Sequence, residues 1–444
     1  MNKIKFYTAL LGARLAEKAL KLRGSSSATS FPGVVATKID KSFLKEMNEF
    51  CGKSIITVTG TNGKTTTSGL VAKILSVSQN SVLHNQKGAN MPQGITTALA
   101  LGLNPFDKPD YFVLENDEAY LTKIYDVLDV NYLIITNLFK DQLDRYGAVD
   151  TTAKKIREAI DKKSDLKILL NADDVTLRDL YNSNTMTYGF ESIEFVEQSH
   201  KENTQEILYC KCGEQLQYEK IFYSHIGHYM CPCGYKRPIP DFSARAKIYH
   251  QYTEIEVTYK DNLYNFKVNI PGLYNAYNAL SALSMGLLLG ISEDKIQLAF
   301  DEYHSVFGRA EKLKLKDKDV FIQLIKNPVG ASEVIRTISD EKKSKLLIAM
   351  NANYADGRDL SWLWDTDFEA LSDYPNKIIV SGERAYDMAL RLKYTNFPIE
   401  NIVIIHDIKS ALQVALSSLE QGETLNILPT YTALLAMQNI FKTL

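Results

Sequence analysis

A glycine-rich turn between a predicted strand and a predicted helix constrains the fold of this chain more than any other segment. Residues 54–58, Ser-Ile-Ile-Thr-Val, have the apolar run of a buried strand, and residues 65–77 have the single apolar face of a helix. A turn in this position aims backbone N–H groups and a helix N-terminus at phosphate oxygens, while Lys64 neutralises the phosphates and Thr65 can hold Mg²⁺. We therefore predict a catalytic role for Lys64 and a nucleotide-binding loop around it. The predicted nucleotide-binding residues of the loop are Gly60, Thr61, Asn62, Gly63, Lys64, Thr65 and Thr66.

Short apolar runs in the rest of the chain alternate with helical stretches. After the turn they cover residues 111–114, 132–135 and 167–170, and a second series covers 346–349, 377–380, 402–405 and 425–428. This alternation is typical of mainly parallel α/β sheets, and a length of 444 residues allows two or three cores. We predict an N-terminal helix and linker over 1–50, a phosphate-loop domain over 51–307 and a C-terminal Rossmann-like α/β domain over 308–444.

Four of the five cysteines lie in two C-x-C pairs, each followed by a glycine. Four thiolates suit a closed tetrahedral Zn²⁺ site, which leaves no open position for catalysis. Common zinc ribbons have C-x₂-C spacing, and free or redox-active thiols are the alternative interpretation. We predict a zinc-ribbon insertion over about 205–240, in which His225 and His228 are not needed as ligands. The predicted ligands are Cys210, Cys212, Cys231 and Cys233.

The N-terminal segment is cationic and helical in pattern. Charged residues at 14, 17, 18 and 21 interrupt its apolar residues, so we expect no signal peptide. No part of the chain approaches the ~18 apolar residues of a membrane span, and we expect a cytoplasmic protein. The helix could touch a membrane, but packing against the protein's own body is the simpler interpretation of its scattered apolar residues. These residues include Phe6, Leu10, Leu11, Ala13 and Leu15.

The turn sequence, TGTNGKTTT, resembles the ATP-binding loop of the Mur ligase family, which includes the folylpolyglutamate synthases. The generic pattern G-x-x-x-x-G-K-[ST] requires a glycine at position 58, where this chain has Val58. The resemblance implies a Mur ligase-like central domain that activates a carboxylate with ATP and Mg²⁺. It also implies that Glu115 binds Mg²⁺ together with Thr65, with Glu118 as the second choice.

Two further segments resemble the metal-binding part of the same family. Residues 136–146 look like the family's T-N-x-x-x-D-H-x-D stretch, but Gln142 stands where the usual ligases carry a metal-linked histidine. Lys154 or Lys155 falls near a lysine that is carbamylated in some members. Residues 84–90, which follow the first βα unit, are expected to face the substrate.

Two motifs imply contacts with the nucleotide itself. Residues 272–280 resemble the family's G-x-x-N-x-x-N motif, which implies that the amides of Asn275 and Asn278 reach adenine. Asn275 could instead cap the helix that starts there. Residues 308–311, Gly-Arg-Ala-Glu, resemble an interdomain G-R-x-E motif, which implies that Arg309 contacts the ATP phosphates.

The four-cysteine insertion and two C-terminal motifs narrow the resemblance to the MurT family of synthetase subunits. The motifs are Lys-Asn-Pro-Val-Gly at 326–330 and Tyr-Ala-Asp-Gly-Arg-Asp at 354–359. In that family the partner is GatD, a class I glutaminase that supplies ammonia. The resemblance implies ATP-dependent amidation of the D-glutamate α-carboxylate in the lipid II stem peptide to D-isoglutamine, through an acyl phosphate. It also implies that Asp356, with Asp359 as second choice, orients the partner's catalytic histidine.

The cysteine positions favour a partner independently of the resemblance. Glutamine hydrolysis by a class I amidotransferase needs a nucleophilic cysteine with a histidine, and the fifth cysteine, Cys51, has no histidine near it in sequence. This chain alone is therefore not expected to hydrolyse glutamine. We expect a heterodimer with a GatD-like glutaminase, which acts on lipid II at the inner membrane face.

Three other functions fit parts of the sequence. The first is an amino-acid-adding muramyl or folylpolyglutamate-type ligase, although only about fifty residues precede the first strand and leave no evident UDP-binding domain. The second is a nucleic-acid-binding protein. The 51 lysines and arginines are balanced by 53 acidic residues, and this balance argues against such a function. The third is an inactive nucleotide-binding scaffold. The residues that argue jointly against a scaffold are Lys64, Thr65, Glu115 and Arg309.

Overall fold

The computed structural model describes residues 3–22, 30–86, 89–139, 149–196, 207–249, 251–270, 272–303, 309–339 and 343–441. Gln142 lies outside these ranges, and Arg309 is described in its backbone alone. The described residues form two compact units, one up to Leu138 and over Val149–Tyr303, and the other made of Phe139 and the residues from 309 onward.

The first unit combines helices with strands that alternate along most of its length. The helices are α1 (Lys3–Leu22), α2 (Phe31–Ile39), α3 (Phe43–Glu46), α4 (Lys64–Val77), α5 (Pro92–Gly102), α6 (Leu121–Tyr125), α7 (Val149–Asp161), α8 (Leu273–Leu288) and α9 (Glu293–Asp301). The strands are β1 (Ser54–Thr59), β2 (Val82–His84), β3 (Tyr111–Glu115), β4 (Tyr132–Ile135), β5 (Lys167–Asn171), β6 (Thr185–Phe195), β7 (Gln217–Tyr223), β8 (Ile226–Met230), β9 (Phe242–Ile248), β10 (Thr253–Tyr259) and β11 (Asn262–Val268).

The main sheet of this unit is parallel over most of its width. Its strand order in the described residues is β11-β10-β9-β6-β5-β4-β1-β3-β2, with antiparallel pairing only among β9, β10 and β11. The register places Val58 opposite both Glu115 of β3 and Ile134 of β4. The carboxyl ends of these three strands therefore meet at one edge, where ligands bind in open α/β sheets. The predicted mainly parallel sheet is confirmed.

The second unit repeats the alternation around a smaller sheet. Its helices are α10 (Pro328–Ser339), α11 (Trp362–Asp365), α12 (Ala385–Lys393), α13 (Ile408–Ser417) and α14 (Tyr431–Phe441). Its strands are β12 (Arg309–Leu315), β13 (Lys318–Gln323), β14 (Ser344–Ala349), β15 (Ile378–Ser381), β16 (Ile402–Ile404) and β17 (Thr424–Pro429).

The sheet of the second unit has the order β12-β13-β17-β14-β15-β16 and is parallel except for the β12–β13 hairpin. Neighbouring residues of β14 enter different cores, since Leu346 packs in one apolar cluster and Leu347 in another. A strand that is apolar at consecutive positions must be covered on both faces. This confirms the predicted C-terminal α/β unit, whereas the antiparallel β12–β13 hairpin was not predicted.

Helix α1 packs on the first unit through one of its faces. Phe6, Leu10 and Ala13 are buried, and the Phe6 ring stacks on Phe43 and Phe50 with centroids 4.9 Å apart. The predicted packing of the helix on the protein's own body is confirmed for these residues. Leu11 and Leu15 are instead exposed on the other face, because they lie on the side of the helix turned away from α2 and α5. Among the described helices, none is long and apolar enough to cross a membrane.

A buried aspartate joins the hairpin β7–β8 to the main sheet. Asp173 follows β5, is fully buried, and accepts hydrogen bonds from Arg237 Nε at 2.6 Å and from the Tyr277 hydroxyl of α8 at 2.7 Å. It also accepts from the backbone N–H of Phe190 in β6 at 2.8 Å. Burial raises the pKa of Asp173, and the Arg237 charge opposes that shift. One carboxylate therefore connects the cysteine-bearing insertion, the central sheet and α8.

The neighbouring residue, Asp174, links the β7–β8 hairpin to the segment that follows β4. Asp174 Oδ2 accepts from the backbone N–H of Leu138 at 2.9 Å, and its Oδ1 lies 3.3 Å from His225 Nε2 at the tip of the β7–β8 hairpin. The backbone N–H of Gly227 donates to the Asp173 carbonyl at 2.9 Å. The hairpin is thus held by backbone and side-chain bonds to a single dipeptide.

We predict that Arg237→Met destabilises the first unit by about 3–5 kcal/mol, because it leaves the buried Asp173 carboxylate without its cation. The matched control is Arg245→Met, which removes an arginine that is 71% exposed in its pair with Glu256 and is expected to cost below about 1 kcal/mol. Adding Asp173→Asn to Arg237→Met should restore part of the loss.

The two tryptophans, Trp362 and Trp364, both lie in the second unit. During urea denaturation, tryptophan fluorescence therefore reports on the second unit, whereas circular dichroism reports on both units. Arg237→Met should lower the midpoint measured by circular dichroism and leave the midpoint measured by tryptophan fluorescence unchanged. Equal effects of Arg237→Met and Arg245→Met would contradict the role given to Asp173.

Candidate functional site

The phosphate loop is held at the end of β1 by residues that follow β4. The backbone N–H of Thr61 donates to the Asn137 carbonyl at 2.8 Å, and that of Asn62 donates to Asn137 Oδ1 at 2.9 Å. Gly60 has φ +125°, and a Cβ there would lie 2.2 Å from Thr136 Oγ1, so only glycine fits. Thr136 and Asn137, the T-N pair of the 136–146 segment, therefore hold the phosphate loop in its conformation.

Lys64, the first residue of α4, reaches back across the loop into a buried ion pair. Its Nζ lies 2.9 Å from Glu118 Oε1, both side chains are 8% exposed, and Nζ also donates to the Gly60 carbonyl. Burial alone would lower the pKa of Lys64, but the carboxylates of Glu118, Asp117 and Glu115 outweigh burial and raise it. The lysine therefore keeps its positive charge at the N-terminus of α4, where anions bind.

Thr65 and Glu115, the two predicted magnesium ligands, are in direct contact. The Thr65 hydroxyl donates to Glu115 Oε2 at 2.6 Å, and both residues are buried. Glu115 is the last residue of β3, so the register of β1 and β3 brings it beside the loop. A hydroxyl and a carboxylate are hard oxygen donors of the kind that Mg²⁺ prefers, so the donor set fits this ion. Glu118 is engaged with Lys64 instead.

Two asparagines of the 84–90 segment orient Glu115. Asn85 accepts from the Glu115 backbone N–H at 2.7 Å and donates to its carbonyl at 2.8 Å, while Asn90 Nδ2 lies 3.2 Å from Glu115 Oε1. His84 contacts Ser68 Oγ at 3.0 Å, and burial lowers its pKa to about 4. The sequence predicted that this segment faces the substrate, which stays a prediction, and its contacts with Glu115 were not predicted. Residues 87 and 88 lie outside the described ranges.

Helix α8 brings the second nucleotide motif to the phosphate loop. A Cβ on Gly63, which has φ +86°, would lie 2.0 Å from Asn278 Oδ1, so the Asn278 side chain lies directly over this glycine. Asn278 Nδ2 donates to Asn275 Oδ1 at 3.3 Å. Helix α8 begins after Gly272, which places Asn275 inside its first turn. The alternative that Asn275 caps this helix is therefore wrong.

The four predicted cysteine ligands form one cluster. Their sulfur atoms all lie within 4.8 Å of one another, with 3.7 Å between Cys210 and Cys233 and 3.6 Å between Cys212 and Cys231. Tetrahedral Zn²⁺ with bonds of about 2.3 Å to sulfur would place its ligand atoms about 3.8 Å apart, so the cluster fits the ion. Gly213 and Gly234 have φ +92° and +90°, as the sharp turns of two such knuckles require.

The histidines between the two pairs contact other residues, and His225 is buried, whereas surface histidines were expected. His228 Nε2 contacts the Phe190 carbonyl at 2.8 Å, and His225 lies beside Asp174. On α7, Lys154 is exposed and Lys155 is half-buried. The sequence interpretation missed the roles of Asp173 and Asp174, although two acids that directly follow a parallel strand were a signal that could have identified them.

In the second unit, Asp356 belongs to a loop that hydrogen-bonds to the start of α14. Its Oδ1 accepts from the Thr432 backbone N–H at 2.7 Å, its Oδ2 accepts from the Thr432 hydroxyl at 2.5 Å, and 7% of the residue is exposed. Asp359 accepts from the Ser361 backbone N–H and hydroxyl, both at 2.8 Å. The neighbouring Tyr354 is 78% exposed, so the loop itself is at the surface.

Comparison with known proteins identifies relatives over the whole chain. The Mur ligase middle domain family matches residues 58–231, and the MurT ligase C-terminal family matches residues 324–434. The lipid II isoglutaminyl synthase (glutamine-hydrolyzing) subunit MurT of Staphylococcus aureus (strain COL) is 35% identical over 97% of this chain and 96% of its own length. The subunit of that name from Streptococcus pneumoniae (strain ATCC BAA-255 / R6) is 36% identical over 98% of this chain and 97% of its own.

A solved structure shows the same fold. The pseudomurein peptide ligase type C from Methanothermus fervidus is 24% identical and superposes with a TM-score of 0.69 over 88% of this chain and 79% of its own. The Mur ligase-like α/β fold predicted for the central part of the chain is confirmed.

The contacts of the two glutamates lead to a prediction that separates them. Glu115→Gln should raise the Mg²⁺ concentration needed for half-maximal ATP binding by about tenfold or more, because it removes a charged ligand beside Thr65. Glu118→Gln should leave the Mg²⁺ requirement unchanged, since Glu118 is paired with Lys64. Titration calorimetry of ATP at a series of Mg²⁺ concentrations measures both variants, and the reverse pattern would assign the ion to Glu118.

Proposed function

Because this chain belongs to the MurT family, we propose that it is the synthetase subunit of a lipid II isoglutaminyl synthase. It amidates the α-carboxylate of D-glutamate in the lipid II stem peptide and produces D-isoglutamine at the expense of ATP. The observation that carries the ATP-dependent step is the convergence of Lys64, Thr65 and Glu115 at the N-terminus of α4, with Asn278 over the phosphate loop.

The reaction proceeds in two displacements. A carboxylate oxygen of the substrate attacks the γ-phosphorus of ATP, the bond to the β,γ-bridging oxygen breaks, and ADP leaves. Ammonia then attacks the carbonyl carbon of the acyl phosphate, the C–O bond breaks, and phosphate leaves as the nitrogen loses a proton. Phosphoryl transfer requires mainly positioning and charge stabilisation, which the residues of this site can provide.

Residues in and around the phosphate loop take part in the first displacement. Lys64 exchanges its contact with Glu118 for the β- and γ-phosphates and neutralises charge there. Thr65 and Glu115 would hold Mg²⁺, which when bound neutralises phosphate oxygens. Asn275 and Asn278 bind the adenine edge. The sequence resemblance also assigns Arg309 to the ATP phosphates, as a planar donor.

The nitrogen comes from a second subunit. Four cysteines of the chain form the cluster, and the remaining one, Cys51, is half-buried with its sulfur 3.7 Å from the Asp110 carbonyl. Burial raises the pKa of Cys51, which disfavours the nucleophilic thiolate. A GatD-like class I glutaminase supplies ammonia in the complex, and Asp356, with Asp359 as second choice, orients its catalytic histidine.

The four-cysteine cluster holds Zn²⁺ in a closed, structural site. Its sulfurs have the separations of a tetrahedral ligand set, and no further ligand position is needed. The enzyme works at the cytoplasmic face of the membrane, where it meets its lipid-linked substrate.

Reconstitution tests the proposed reaction. The chain, mixed with a GatD-like glutaminase, lipid II, MgATP and glutamine, should yield one amidated product per ADP. Lys64→Ala should lower kcat/KM at least ~100-fold, whereas Lys73→Ala, which removes an exposed ion pair on the same helix, should have little effect. ADP release that requires an amino acid acceptor, with no amide formed, would show an amino-acid-adding ligase instead.

Asp356→Asn tests the contribution of this chain to glutamine hydrolysis. Glutamine-driven amidation by the complex should fall at least ~100-fold, because the partner's histidine loses its orienting carboxylate. Amidation driven by ammonium chloride should be unchanged, and Asp359→Asn is the matched control. Glutaminase activity that survives Asp356→Asn and is lost in Asp359→Asn would transfer the role to Asp359.

A further inference from the structure

Helix α1 has two apolar faces, and within the described ranges of the chain only one of them is covered. Phe6, Ala9, Leu10 and Ala13 are buried against the first unit. At 3.6 residues per turn, a second set of apolar residues forms a stripe on the opposite side. The exposed fractions of this stripe run from 42% to 90%, and its residues are Ile4, Tyr7, Leu11, Leu15 and Leu22.

The stripe runs along nearly the whole helix. From position 4 to position 22 it extends about 27 Å at 1.5 Å per residue. Ile39 of α2, which is 38% exposed, lies over Gly12 on the flank between the stripe and the buried face, where a Cβ would lie 2.5 Å from Ile39 Cδ1. The exposed apolar surface of α1 is therefore the stripe itself.

Lysines lie beside this stripe and, at Lys18, within it. The helix carries five basic residues and one acid, Glu17, which is paired with Lys21 at 2.7 Å, whereas the whole chain has a net charge of −2. The Arg14 guanidinium donates a hydrogen bond to the Leu103 carbonyl, and the other basic side chains are exposed. The exposed lysines are Lys3, Lys5, Lys18 and Lys21.

The combination of an apolar stripe with lysines favours a lipid bilayer over a protein as the partner of this surface. The buried parts of protein–protein interfaces are depleted in lysine, so this surface is poorly suited to a second copy or another subunit. Lysines beside an apolar stripe are instead typical of helices that lie in the surface of an anionic bilayer, where the stems enter the apolar region and the ammonium groups meet lipid phosphates.

We propose that α1 is an interfacial helix that rests on an anionic membrane, with the stripe among the lipid acyl chains and the core face holding the enzyme. That the substrate is itself a membrane lipid rests on the proposed function. Docking of α1 would confine the enzyme to the plane in which such a substrate diffuses. The apolar and ionic contributions to binding are both testable.

The experiment measures co-sedimentation of the full chain with vesicles that contain no lipid II. Vesicles of equal phosphatidylglycerol and phosphatidylcholine should bind the chain, and pure phosphatidylcholine or high salt should weaken binding several-fold. Leu11→Gln with Leu15→Gln should lower the partition coefficient about tenfold or more. Both positions are exposed, so circular dichroism and thermal unfolding should match the parent chain.

The matched control is Leu390→Gln with Val414→Gln, which changes two residues of similar exposure in the second unit and should leave binding unchanged. Lys3→Glu with Lys18→Glu provides a second route, since it should abolish the preference for anionic vesicles. Equal binding by the stripe and control variants, or no binding by the parent chain, would overturn the proposal. Loss of vesicle binding in the complex with the glutaminase would also overturn it, because the partner subunit would then cover the stripe.

A second readout separates this proposal from the proposed function. With lipid II embedded in vesicles, the Leu11→Gln and Leu15→Gln chain should have a several-fold lower kcat/KM, whereas a water-soluble short-chain substrate should be amidated normally. Failure of amidation with every chain would reject the proposed function, and vesicle binding by the parent chain would still stand.

Discussion

The buried carboxylate of Asp173 is the interaction on which the arrangement of the first unit depends. It joins Arg237 of the cysteine insertion, Tyr277 of α8 and the backbone of β6 within 2.8 Å. Burial of a carboxylate charge lowers stability unless the charge is paired and hydrogen-bonded. Here an arginine, a tyrosine hydroxyl and a backbone N–H donate to it. Because α8 also places Asn278 over Gly63, the insertion is coupled through one residue to the helix that borders the phosphate loop.

The phosphate loop brings a cation and two acids together in a buried site. Lys64 pairs with Glu118, and the Thr65 hydroxyl donates to Glu115 beside them. MgATP would bring both a polyanion and a cation, so Lys64 and Glu115 each gain a new partner of opposite charge. The charges of the site are therefore complementary to those of MgATP.

The sequence predicted the parts of the protein that local chemistry determines. The turn from β1 to α4, four strands of each sheet and the cysteine cluster follow from short patterns, and the resemblance to Mur ligases indicated Glu115 and Asn278 as site residues. Contacts between distant segments could not be predicted this way. That Asn85 and Asn90 orient Glu115, or that Leu11 and Leu15 face solvent while Phe6 and Leu10 do not, depends on how the helices pack on the sheet. Periodicity alone cannot distinguish two apolar faces of one helix.

The central claim is that the substrate carboxylate is activated as an acyl phosphate. The most direct measurement uses lipid II whose D-glutamate α-carboxylate carries ¹⁸O, with mass spectrometry of the inorganic phosphate released during amidation. An acyl phosphate requires that one labelled oxygen pass from the carboxylate to phosphate for each amide formed. Unlabelled phosphate, or release of AMP and pyrophosphate, would contradict the account.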